Sequence, residues 1–210
     1  MKGTFVTFEG GEGAGKSTLA KGVYERLRQE GRDVLFTREP GGTKFGEEVR
    51  GLILHRDGFT IGARAELFLF LASRAQHVEE VIRPALEAGK IVICDRFIDS
   101  TIAYQGIARE LGVEYVSSLN MMATMGLSPD ATFIVDIDPV VGLERTLKRS
   151  KGEKGDRIED EGLQFHKMIR QAFLKLAEAA PNRITVLDGM LSEEKLVEMA
   201  IERLKGCLKK

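Results

Sequence analysis

The feature that most limits how this chain can fold is an octapeptide near its start, Gly10-Gly11-Glu12-Gly13-Ala14-Gly15-Lys16-Ser17. A glycine, four residues and then Gly-Lys-Ser is the spacing of a phosphate-binding (Walker A) loop, which requires a strand before it and a helix after it. Both are legible. Thr4–Glu9 reads as a short strand built on Phe5, Val6 and Phe8, and Ser17–Glu30 places Leu19, Val23 and Leu27 on one helical face before Gly31 closes it. The glycines let successive N–H groups turn inward around a phosphate chain, and the helix start adds unpaired N–H groups and the positive end of its dipole. Lys16 supplies a mobile cation for the β- and γ-phosphates, and the Ser17 hydroxyl is placed to ligate a bridging Mg²⁺, with Thr18 directly behind it.

Four more short apolar segments, Val34–Thr37, Ile91–Asp95, Thr132–Asp136 and Ile184–Asp188, are rich in Val, Ile and Phe and alternate with helix-length amphipathic stretches. Such alternation predicts a doubly wound α/β fold, a five-stranded parallel sheet flanked by helices. The helices are expected at Phe45–Leu54, Ala63–Glu87 with Pro84 as the place for a kink, Val113–Met125, Val140–Lys148, Ile158–Ala179 and Glu193–Leu208. The chain of 210 residues reads as one domain. With 31 basic against 32 acidic side chains there is no global field for nucleic acid or an anionic membrane, so phosphate recognition has to come from local clusters. Two cysteines, Cys94 and Cys207, give no disulfide framework, and His55, His77 and His166 are too scattered for a metal site. The N-terminus lacks the marks of a signal peptide and no apolar run reaches membrane-spanning length, which predicts a cytoplasmic protein.

Charged residues at strand ends supply the rest of the chemistry. The third strand delivers Asp95 at its carboxyl edge, the position of a carboxylate that holds Mg²⁺ beside a phosphate loop, and Arg96 follows as a planar fork suited to bidentate phosphate contact. The second strand ends on Arg38, and ligands of open α/β sheets bind outside the carboxyl ends of strands. Arg50, on the next helix, can reach the same crevice. Lys148–Arg157 is basic, hydrophilic and carries two glycines, which predicts a lid loop able to close over phosphates.

These residues carry a family resemblance. Phe8-Glu9-Gly10-Gly11-Glu12-Gly13-Ala14-Gly15-Lys16-Ser17-Thr18, then Thr37-Arg38-Glu39-Pro40-Gly41-Gly42-Thr43, then Asp95-Arg96 leading into Ser100-Thr101-Ile102-Ala103-Tyr104-Gln105-Gly106, together resemble the bacterial thymidylate kinases. The resemblance extends through Pro129-Asp130 and Asp156-Arg157 over nearly the whole chain. It implies a P-loop nucleotide-kinase architecture with a short lid, and Mg²⁺-dependent transfer of the γ-phosphoryl of ATP to dTMP. It further implies that Phe70 stacks on thymine and that Arg74, one helical turn on, bonds the base carbonyl. Read without the family, Phe70 among Leu67, Phe68, Leu69 and Leu71 is a core residue. By the same resemblance Glu12 meets the sugar 3′-hydroxyl, Arg38, Arg50 and Arg96 surround the acceptor phosphate, Ser100, Thr101 and Gln105 touch the base side, and Tyr104 crowds the sugar 2′ position. A homodimer packed through helices is implied as well.

Members of the family take a transition-state arginine from either the phosphate loop or the lid. This loop has none, so Arg149 or Arg157 of the lid is expected to serve, alongside Lys16 and Arg96, with Lys148, Lys151 and Lys154 as competitors. Kinases for dUMP, dCMP or a damaged base stand as alternatives. A regulatory GTPase does not, because no Asn-Lys-x-Asp guanine-reading sequence occurs.

Overall fold

The structure is a computed structural model that describes residues 3–54, 59–149 and 156–207. Five parallel strands, β1 (Thr4–Gly10), β2 (Val34–Arg38), β3 (Ile91–Asp95), β4 (Ala131–Asp136) and β5 (Ile184–Asp188), lie in the order β2-β3-β1-β4-β5. This is the expected sheet, with strand limits moved by at most one residue. The chain leaves β1 to one side for β2 and β3, and later fills the other side with β4 and β5. The strand order therefore reverses at β1, and the crevice above its carboxyl end is where such sheets take ligands.

Alternation along the strands divides the core. Val6 and Phe8 of β1, Ile91 and Ile93 of β3, and Phe133 and Val135 of β4 face α1 (Lys16–Gln29) and α9 (Glu193–Lys205). Phe5, Val92 and Cys94 face the opposite layer, where they pack against Val78, Ile82, Leu86 and Phe97. Ile134, also on that layer, joins a cluster with Val49 and Ile53 of α2 (Lys44–Leu54) and Ile169 and Phe173 of α8 (Leu163–Ala179).

Three local departures from the sequence reading have identifiable causes. The segment expected as one helix over Ala63–Glu87 divides into α3 (Ala63–His77), a π-helical turn at Val78–Ile82, and α4 (Arg83–Glu87), with Pro84 in the first turn of the last piece. Proline cannot donate to the carbonyl four residues back, and the wider turn sits just ahead of it. A short helix α5 (Ile98–Thr101) runs into a π-helical segment, Ile102–Ala108, in a stretch to which the sequence pattern assigned no element. Finally, α8 starts five residues later than expected. Asp156 Oδ1 accepts the N–H groups of Ile158 and Glu159 at 2.9 Å, a side-chain turn that competes with helix, and Gly162 then opens α8.

The remaining helices are α6 (Val113–Thr124) and α7 (Pro139–Arg149). Of the lid assigned to Lys148–Arg157, Lys148, Arg149, Asp156 and Arg157 are described, whereas 150–155, with Lys151 and Lys154, lie outside the described residues, as does His55.

Candidate active site

The phosphate loop joins β1 to α1 at the centre of the sheet. Its residue Gly13 has a φ of 68°, and a Cβ there would lie 1.9 Å from the backbone oxygen of Gly142 on α7. Only glycine satisfies both the left-handed backbone and that approach. The first turn of α1 has no side-chain cap and no acidic residue, so its N–H groups and dipole remain available to an anion. Lys16 is buried at the loop's end with Nζ 4.0 Å from Glu12 Oε2.

Above the loop lies a cavity of about 220 Å³. Glu12, Lys16 and Ser17 form one wall of it, and Asp95 and Arg96 reach it from the end of β3. Arg38 from the end of β2 and Arg50 from α2 form a second cationic wall, joined by Arg96. Burial, and after it the charge of Arg38, lower the Arg50 pKa against the opposing charges of Glu47 and Asp156. Phe70 and Arg74 enter from α3, Ser100 and Thr101 from α5, Tyr104 and Gln105 from the π-helical segment, and Arg149 from the end of α7.

Glu12 is tied into the site by two donors. Its Oε1 accepts from Arg96 Nη2 at 2.5 Å and from the Tyr104 hydroxyl at 2.9 Å. Burial opposes its ionisation, but Arg96, Lys16 and the Tyr104 bond outweigh it and hold the carboxyl down to about 2. Glu12 is thus an acceptor at every physiological pH. Arg96 is held just as firmly, in a left-handed backbone conformation (φ 69°) with its N–H bonded to Phe8 O at 2.9 Å. Its Nη1 donates to Gly10 O and Ser100 Oγ, each at 3.1 Å, and its guanidinium lies 5.1 Å over the Tyr104 ring. Glu9, fully buried below, accepts from Ser100 Oγ at 2.5 Å and Phe97 N at 2.8 Å. Burial and the neighbouring Asp99 push its carboxyl up to about 8, against the Ser100 bond and the charge of Arg96.

Ser17 and Asp95 both line the cavity, and Asp95 Oδ1 is buried with no hydrogen-bond partner among the described residues. An orphaned carboxylate oxygen beside a hydroxyl is a donor set that suits a hard, oxygen-seeking cation.

A family model described as thymidylate kinase matches residues 8–200 of this chain. The chain belongs to the thymidylate kinase family. The thymidylate kinase of Protochlamydia amoebophila is 50% identical over 210 residues, covering 98% of this chain and 93% of that one. That of Halothermothrix orenii is 48% identical over 208 residues, covering 99% of each. A crystal structure of thymidylate kinase from Ehrlichia chaffeensis superposes with a TM-score of 0.77 at 33% identity, covering 97% and 99% of the two chains.

Within this thymidylate kinase framework, of the expected residues Gly10, Gly11, Gly13, Ala14 and Gly15 shape the loop without lining the cavity, and Arg157 and Thr18 also lie outside the lining. Of the two lid arginines, Arg149 lines the cavity and pairs with Glu159 at 3.0 Å. Arg157 does not line it: Nε donates to Ile53 O at 2.9 Å and Nη2 to Glu66 Oε2 at 2.5 Å, which ties Arg157 to α2 and α3. Thr18 is exposed on α1, outside the residues that line the cavity. Arg74, by contrast, is fully buried. Its Nε donates to Glu39 Oε2 at 2.7 Å, and Nη1 donates to Thr101 Oγ1 at 2.8 Å and Asn120 Oδ1 at 2.5 Å.

Three residues with roles here escaped the sequence reading. Glu39 is 4% exposed and also accepts from His77 Nδ1 at 3.0 Å, so it anchors Arg74 and the turn around Pro40. Glu159 holds Arg149, and Glu66 holds Gln105 and two arginines. Glu39 had a signal, standing inside Thr37-Arg38-Glu39-Pro40. The other two carry no local pattern.

Proposed function

We propose the following division of labour for the reaction that family membership carries, phosphorylation of dTMP to dTDP by ATP. The observation that supports it is one cavity with two cationic walls, the loop with Lys16 and, beyond it, Arg38 and Arg50, with Arg96 between them bonded to Glu12 of the loop. Two such walls suit transfer between two nucleotides; hydrolysis or switching needs only the first.

The loop N–H groups and Lys16 hold the ATP phosphates. Arg38, Arg50 and Arg96 hold the acceptor phosphate, whose own oxygen is the nucleophile and needs no strong base. Arg96 also grips Glu12, so the acceptor phosphate and the sugar are registered against one rigid pair. Glu12 Oε2 accepts from the sugar 3′-hydroxyl, and Tyr104 crowds the 2′ position. Phe70 stacks on thymine, while Arg74, Ser100, Thr101 and Gln105 supply polar contacts to the base side. Arg149 of the lid screens charge developing on the transferred group, and Arg157 holds the lid's end in place. Ser17 and Asp95 would hold Mg²⁺, which when bound screens the phosphate oxygens.

A steady-state assay with ATP, Mg²⁺ and a panel of dTMP, dUMP, dCMP and dGMP tests the assignment. The highest kcat/KM is expected for dTMP; a preference for dCMP, or ADP formation independent of any monophosphate, would overturn it.

The same proposal includes a homodimer. Phe68 on α3 and Tyr115, Met121 and Met122 on α6, with Met125 just past its end, are large apolar side chains left 47–78% exposed, and α3 packs against α6 through Leu67, Leu71 and Val116. A cluster of this kind marks an association surface. Sedimentation equilibrium is expected to give the mass of two chains, and a single-chain mass at micromolar concentration would refute the dimer. The location inferred is the cytoplasm, in keeping with two free thiols; among the described residues no helix is long and apolar enough to cross a membrane.

A further inference from the structure

Glu66 lies outside the cavity, yet it is 1% exposed and carries three side-chain donors. Gln105 Nε2 donates to its Oε1 at 2.7 Å, Arg109 Nε to the same oxygen at 3.3 Å, and Arg157 Nη2 to Oε2 at 2.5 Å. Burial opposes ionisation of this carboxyl, but the bonds from Gln105 and Arg157 and the charge of Arg109 hold it below the usual range. It is therefore a carboxylate, and a carboxylate only accepts hydrogen bonds.

That settles which way the Gln105 amide faces. The atom against Glu66 has to be the –NH₂, so the polar atom Gln105 offers to a ligand in the cavity it lines is its carbonyl oxygen, an acceptor. Arg74 lines the same cavity as a pure donor. Three of its five N–H groups go to Glu39, Thr101 and Asn120, and Nη2, beside the same Glu39 oxygen, keeps at least one N–H for a ligand. A donor next to an acceptor is the complement of a pyrimidine edge with a carbonyl beside a ring N–H, as in thymine or uracil. Cytosine presents an amino group beside an unprotonated ring nitrogen and would meet donor with donor and acceptor with acceptor.

We infer that Glu66 is a positioning residue for base selection: by fixing the Gln105 amide with its oxygen toward the cavity, it makes the site favour a 4-keto over a 4-amino pyrimidine monophosphate. The inference rests on the base-side placement of Arg74 and Gln105 under Proposed function. Without Glu66 the amide can turn over and present its –NH₂, which suits cytosine.

The test measures kcat/KM for dTMP and dCMP. Glu66→Met removes the acceptor at similar volume, and the dTMP-to-dCMP ratio is expected to fall at least about 10-fold, through KM more than kcat. Glu66→Gln can still offer a carbonyl to Gln105 Nε2 and is expected to keep the ratio within about 3-fold of the parent. Arg109→Ala removes a neighbouring charge but leaves the Glu66–Gln105 bond, and is expected to lower Tm with the ratio unchanged. If Glu66→Met alone fails to fold, the double variant Glu66→Met with Arg109→Met, which removes one charge of each sign, is read in its place. Equal losses for both nucleotides, or Glu66→Gln behaving like Glu66→Met, would overturn the role of Glu66. Gln105→Ala separates the two levels: an unchanged KM for dTMP would overturn the base-side placement itself, while a raised KM with an unaltered Glu66→Met ratio would overturn only the positioning.

Discussion

Arg96→Ala is expected to lower kcat/KM for dTMP by about three orders of magnitude, roughly 4 kcal/mol of transition-state stabilisation. The guanidinium does two things at once in the proposed site. It holds Glu12 at 2.5 Å, and it stands on the cationic wall that faces the acceptor phosphate. Removing it takes a charge-assisted contact from the reacting group and leaves Glu12 half-neutralised in a buried setting. Arg50 and Lys16 do not replace it, because Arg50 already has its own place on the acceptor phosphate and neither it nor Arg38 bonds Glu12, while Lys16 belongs to the loop. The same variant should alter acid stability in a defined direction. In the native chain Glu12 titrates at about 2 against 4.5 as its ordinary value, so its contribution is present above about pH 4.5 and is lost as pH falls toward 2. Without Arg96 that gap narrows, and urea unfolding should show a smaller loss of stability between pH 5 and 3 than the parent shows. Native-like turnover in a folded Arg96→Ala protein would remove Arg96 from the site.

Gly13→Ala is expected to abolish measurable ATP binding and to cost about 3 kcal/mol or more of stability. Two penalties combine. A φ of 68° disfavours any residue with a Cβ by about 1 kcal/mol, and the added carbon would lie 1.9 Å from Gly142 O and 2.6 Å from Gly142 C, both backbone atoms of a packed helix. The loop has to leave α7 to make room, and its N–H groups then no longer converge. Gly142→Ala separates the penalties, since its helical backbone accepts a Cβ but that carbon would meet Glu12 O at 2.3 Å. Isothermal titration with ATP and thermal unfolding of both variants would report this. Tight ATP binding by Gly13→Ala would show that the loop does not depend on the α7 contact.

What the sequence revealed and what it hid follow from how far each feature reaches along the chain. The central strands were legible because a parallel strand covered on both faces has to be a short apolar, β-branched run, as Ile91–Val92–Ile93 is, and the edge strands β2 and β5 keep enough of that character to be read with them. The phosphate loop was legible because its constraints are local backbone ones. Arg38, Asp95 and Arg96 could be placed because their chemistry coincides with the ends of strands, and the fold brings strand ends together. Side chains that hold other side chains were not legible. Glu39 reaches Arg74 across 35 residues, Gln105 reaches Glu66 across 39, and Arg74 reaches Asn120 across 46, and no periodicity records such pairings. The π-helical segment at Ile102–Ala108 was missed for a related reason: its period fits neither the helix nor the strand template. The lid arginines had equal standing in the sequence, and only the capture of Arg157 by Ile53 and Glu66 distinguishes them.

The position of β1 between β3 and β4 sets the order in which the site comes apart. A strand bonded on both sides belongs to the slowest-exchanging part of a sheet, while an edge strand opens through cheaper local fluctuations. The loop proposed to receive ATP is carried by β1, and Arg38, proposed for the acceptor phosphate, is carried by β2, which lies at the edge of the sheet. Opening at the β2 edge therefore withdraws Arg38 while the loop on β1 is still in place.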